Sequence, residues 1–127
     1  MTEPTIKAME TLRGDILAMG RDDFVSMADV QGRISRGELA NSVAGRQQLV
    51  VAVVRSLLAE GLIEVGLIPS PNNPGFKTWH GTVDEVMTRF IERFVGHHDD
   101  PMGWEYAIWF NLTAKGEQAS DEFVDER

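Results

Sequence analysis

Apolar residues in the first third of the chain fall mostly three and four positions apart. Ile6, Met9, Leu12, Ile16 and Leu17 form one such series, which predicts an amphipathic helix from Thr5 to Met19 with Gly20 as its stop. Phe24 to Met27 reads as a short extended segment leading into Asp29 to Ile34. Ser35 stands three residues before Glu38, the spacing of a capping box, and predicts a second short helix that ends near Gly45. The strongest helical stretch is Arg46 to Glu60, with Val50, Val53, Val54, Leu57 and Leu58 on one side and Gly61 as the C-terminal stop.

Beyond Gly61 the pattern changes. Leu62 to Val65 reads as a strand that starts as soon as the helix ends. Pro69, Pro71, Asn72, Asn73, Pro74 and Gly75 then interrupt all regular structure. Thr82 and Glu85 repeat the capping-box spacing, followed by an apolar stripe of Val83, Val86, Met87, Phe90, Ile91 and Phe94, so a further helix is expected over Val83 to Val95. A loop from His97 to Gly103 leads to Tyr106 to Leu112, whose large residues alternate as in a strand. Residues 117–127 read as an acidic tail, either frayed or a short polar helix. The expected architecture is one α+β, mainly α domain over residues 1–127. It has a three-helix core and a two-stranded antiparallel hairpin, with the helix of the 67–105 insertion carried at the hairpin tip.

Two phrases resemble MarR- and PadR-like winged-helix regulators. Ser35 to Ala40, Val50 to Val54 and Leu57 to Glu64 are similar to the second helix, recognition helix and first wing strand of those families. Phe110-Asn111-Leu112-Thr113-Ala114-Lys115-Gly116 is similar to their closing wing strand with its Leu-Thr-x-x-Gly phrase. The resemblance covers a little over a third of the chain and implies a winged helix-turn-helix core. In such families the exposed face of the recognition helix reads base edges in the major groove. Matched on Gly61, that face here is Gln47, Gln48, Leu49, Val51, Ala52 and Arg55, half of it apolar. The wing also departs from the pattern, because the insertion is far longer than the usual two to five residues of a hairpin loop.

Charge sharpens that departure. Of the net charge of -8, residues 1–66 supply nine acids against seven bases, whereas residues 67–127 supply eleven acids against five bases. The insertion holds Asp84, Glu85, Glu92, Asp99, Asp100 and Glu105 against Lys77, Arg89 and Arg93, the wrong sign for following a phosphate backbone. Bases gather only between Arg21 and Arg55. The chain has no cysteine, and therefore no disulfide, thiolate metal site or thiol nucleophile. Its longest apolar run, Leu49 to Val54, is far short of the roughly 20 residues that span a bilayer, and the first residues lack a signal-peptide pattern. A cytoplasmic protein without membrane partners is expected.

The aromatic residues of the second half have two readings: core between the inserted helix and the hairpin, or a protein-binding rim at Trp79 and Trp104 beside acidic residues. His97-His98-Asp99-Asp100 lacks the spacing of a metal site and suits a helix C-terminus, so no metal or cofactor is expected. No phosphate loop or nucleophile elbow is present, which argues against an enzyme. The sequence therefore favours a non-catalytic module that binds a basic protein, as an immunity-type or antitoxin-type inhibitor or a regulatory subunit would, through Trp79, Trp104, Asp99, Asp100 and Glu105. The alternative is a dimeric DNA-binding regulator using Gln47, Gln48 and Arg55 on bases and Arg33, Arg36 and Arg46 on phosphates. The stripes of the first helix and of the inserted helix would serve a homodimer as well as a single core.

Overall fold

Thr5 opens the first helix by accepting the Ala8 N–H on Oγ1 at 3.0 Å, which satisfies one of the donors that a helix start leaves unpaired. Helix α1 runs over Ile6–Asp22 in a computed structural model that describes residues 4–72 and 74–125. Gly20 does not end it. A methyl group there would stand 2.6 Å from Leu112 Cγ, so the glycine serves close packing of helix on sheet.

Strand β1 (Val25–Ser26) passes directly into α2 (Met27–Gly37). Ser26 Oγ accepts the Asp29 N–H and the Asp29 carboxylate accepts the Ser26 N–H, each at 3.1 Å. The capping box expected at Ser35 is therefore displaced to Ser26. Both serines have the right spacing to an acid, but Ser26 has the extended backbone a cap requires, while Ser35 lies in the last turn of α2. The chain leaves that helix through Glu38, left-handed at φ 51°. Helix α3 (Val43–Ala59) starts a turn earlier than expected, with Ser42 Oγ accepting the Gly45 N–H at 2.9 Å. At its end Gly61 takes φ 72°, its N–H donates to the Leu58 carbonyl and the Leu62 N–H donates to that of Leu57.

The sheet is antiparallel and four-stranded, in the order β1-β4-β2-β3, where β2 is Ile63–Leu67, β3 is Lys77–Thr78 and β4 is Trp109–Leu112. The expected hairpin partners do pair, Ile63 opposite Leu112 and Val65 opposite Phe110. The sheet is nevertheless wider than two strands, because β1 adds to β4 and β3 adds to β2. Both added strands are two residues long, too short for alternation to reveal.

Helix α4 (Val83–Phe94) does not sit at a hairpin tip. Having turned through β3, the chain folds α4 back over the sheet, where Phe90 lies 6.1 Å from Phe110 and 5.6 Å from Phe94 between ring centroids. A 3-10 turn at Pro101–Gly103 then returns it to β4. Thr113 Oγ1 donates to the Gly61 carbonyl at 2.6 Å and accepts the Gly116 N–H at 3.0 Å, so the Leu-Thr-x-x-Gly phrase joins the end of α3 to the start of α5 (Ala114–Asp125). The expected acidic tail is in its described part this helix. Buried Ser120 donates from Oγ to the Leu17 carbonyl of α1 at 3.0 Å, and residues 126 and 127 lie outside the described residues. One cluster of buried residues runs through α1 to α4 and the sheet. The fold is α+β and mainly helical, with a small antiparallel sheet.

Candidate interaction surface

The outward face of α3 is Ala44, Gln47, Gln48, Val51, Ala52 and Arg55, a three- and four-residue series. Helix α4 lies beside it and contributes Ile91 and Val95, so that the two helices frame an apolar trough of about 560 Å³. Several contacts hold α4 there. Met87, Phe90 and Phe94 are fully buried beneath it. Thr82 and Glu85 complete the expected capping box at its start, with distances of 2.9 and 3.1 Å. The backbone N–H and the hydroxyl of Thr82 together hold the Glu85 carboxyl below its ordinary pKa. Arg55 of α3 reaches across to Asp84 of α4 at 3.2 Å.

Gln47 also lines a second depression of about 450 Å³ at the start of α3. Its floor includes Phe94 and Trp104, and its walls carry Arg46, His98 and Glu105. The structure thus brings together residues from both expected sets: Arg46 and Gln47 from the DNA-reading set, Trp104 and Glu105 from the protein-binding set.

Other expectations need correction. Leu49 is fully buried, because in the true helix register it continues the inward stripe through Gly45 and Val53. Trp79 and Trp104 are core residues, 7% and 3% exposed, and are not rings on a rim. Trp104 packs edge-on against Phe94 at 5.1 Å, stacks with His98 at 5.6 Å and donates from Nε1 to the His98 carbonyl at 3.3 Å. Trp79 lies under two arginines of α4. Asp99 and Asp100 are exposed, and Glu105 is half-buried.

The arginines of the DNA-reading set do not all lie on the trough side. Arg46 and Arg55 are nine residues apart on α3, two and a half turns at about 3.6 residues per turn, and so project from opposite sides. Arg36 folds its Nε onto the Gly32 carbonyl at 3.4 Å, and half-buried Arg33 sits with them on α2, away from the trough. His97 Nδ1 lies 3.1 Å from the Glu92 carbonyl at the end of α4, the helix-terminal position expected for this pair of histidines. Among the described residues no three histidines, aspartates or glutamates cluster as metal ligands, and no helix is long and apolar enough to cross a membrane.

Sequence reasoning did not single out Val95 or the Arg55–Asp84 pair. Val95, four residues after Ile91, widens the α4 stripe beyond one buried face, and that extra width was the available signal. No family model, curated protein or solved structure matches the chain.

Proposed function

We propose that the chain is a non-catalytic protein-binding module on a winged-helix-like scaffold. It docks an amphipathic, basic segment of a partner in the α3/α4 trough. Three helices, a short strand between the first two, and a hairpin after the third support the scaffold reading. The observation that carries the functional reading is the position of α4 beside α3, held by buried Met87, Phe90 and Phe94 and bridged at the surface by the Arg55–Asp84 pair. A groove-reading helix needs an unobstructed polar face. Here Val51, Ala52, Ile91 and Val95 offer van der Waals contact, and each unread base edge forgoes about 1–3 kcal/mol of discrimination. The outward face spans about three turns, which suits a short helix with anchors at three- and four-residue steps. Exposed Glu92, Asp99 and Asp100 on and just after α4 favour a partner with basic flanks and speed its association. An inhibitor of a basic toxin or a regulatory subunit would meet this description.

Capture from a native lysate tests the reading with the full chain and with Val51→Asp, which places a charge in the trough. A discrete protein that is retained by the full chain, released at high salt and lost with Val51→Asp is expected. Equal retention by both chains would contradict it. The second reading, a DNA-binding regulator acting as a dimer, draws on Gln47, Gln48 and Arg55, which do lie on the outward face of α3. Its mark would be nucleic acid in place of protein in the same capture.

A further inference from the structure

The other long side of α4 has different chemistry. Arg89 and Arg93, one turn apart, hold their guanidinium carbons 4.1 and 5.4 Å from the centroid of the Trp79 ring. Two like charges at this spacing disfavour a helix by a few tenths of a kcal/mol, and the face of the indole offsets that repulsion. Neither arginine forms an ion pair among the described residues. Glu85, one turn before Arg89, is engaged elsewhere, since its Oε1 accepts the Thr82 N–H at 2.9 Å. An arginine whose guanidinium carbon lies over a ring still has a planar N–H fork that can take a carboxylate in bidentate fashion.

These arginines stand beside the outer strand of the sheet. β3 is last in the order, with no further strand beside it among the described residues. It is held tightly to β2, because a side chain at Gly66 would run into the Lys77 backbone. Trp79, just after β3, donates its N–H to the Val65 carbonyl at 2.8 Å and so continues the pairing, and by the alternation of extended chain exposed Lys77 shares its side.

We propose that an extended acidic peptide segment adds to the β3 edge and sets alternate carboxylates on Arg89, Arg93 and Lys77. Four residues of helix rise about 6 Å, close to the roughly 6.6 Å between alternate residues on one face of a strand. Backbone pairing to an exposed edge supplies the affinity of such additions, and alternate side chains supply the selectivity. The overall charge of -8 opposes a long polyanion such as duplex DNA. It acts weakly on a short segment at physiological salt, where screening sets in within about 8 Å. This surface lies across α4 from the trough, so it is independent of the function proposed above, and Val51→Asp leaves it unchanged.

Fluorescence anisotropy with the full chain tests the proposal. The probes are a labelled nonapeptide alternating glutamate with threonine, the same peptide with glutamine for glutamate, and a labelled DNA duplex. The glutamate peptide is expected to bind at least about tenfold more tightly than the glutamine peptide, the effect of losing one charge-assisted hydrogen bond. It should bind more tightly than the duplex. Arg89→Gln combined with Arg93→Gln should weaken it by a similar factor with the circular dichroism spectrum unchanged, and Lys77→Gln, on an exposed side chain, should weaken it less. Equal binding of the two peptides, no loss on either substitution, or tighter binding of the duplex would overturn the proposal.

Discussion

Trp79 precedes α4 in the chain and Trp104 follows it, and the two are buried by different means. Trp104 is covered by Phe94 and His98 and has a carbonyl for its N–H, the ordinary way to bury an indole. Trp79 is covered from outside by Arg89 and Arg93, so a ring at the sheet edge is shielded from water by charged groups that keep their own hydration. The first arrangement ties the end of α4 to the loop that follows it. The second makes a covered ring into a support for two cations. A tryptophan beside a loop thus does not signal a rim by itself, and what lies over the ring decides its use.

Substitutions should separate the two arrangements. Trp104→Ala is expected to have the largest effect, about 3–5 kcal/mol of unfolding free energy, as for other aromatic truncations in a core. Trp79→Ala should cost nearer 2 kcal/mol, since the aliphatic stems of the two arginines can settle into the space. Urea denaturation of both variants checks the order, and an inverted order would contradict the distinction. Thr82→Ala removes the cap of the helix between them and should cost about 1 kcal/mol, read from the same curves.

The smallest expected effect lies outside both arrangements and supplies their baseline. The Arg13 guanidinium, by hydrogen bonding to Glu60, holds that carboxyl below its ordinary pKa. A depressed carboxyl contributes stability above its unfolded pKa of about 4.3 and loses it as pH falls through the lower folded value. Glu60 is half exposed, so no more than about 0.5 kcal/mol is expected. Glu60→Gln should therefore lower stability slightly at neutral pH and leave it unchanged in strong acid, whereas a variant at Trp79 or Trp104 should keep its deficit at both.

The sequence was legible where a single short-range rule acts alone. Gly61 needed a left-handed turn and Thr82 with Glu85 needed only each other, and both appear as expected. Ser35 failed because the same spacing recurs at Ser26, and pairing of β1 with β4, a contact across most of the chain, chooses between them. Gly20 failed because Leu112 packs against it, again a distant partner. The outward face of α3 was displaced at Leu49 because alignment on Gly61 alone does not settle which stripe turns inward. The meeting of Arg46, Gln47, Trp104 and Glu105 in one depression depends on the return of α4, which no local pattern encodes.

The proposed function makes the outward face of α3, with α4 beside it, a protein dock and not a reader of DNA grooves. Titration of the full chain against labelled duplex DNA at low ionic strength tests it most directly, because phosphate binding is strongest there. No saturable binding is expected. Saturable binding that falls steeply with salt and is lost in Gln48→Ala would contradict it.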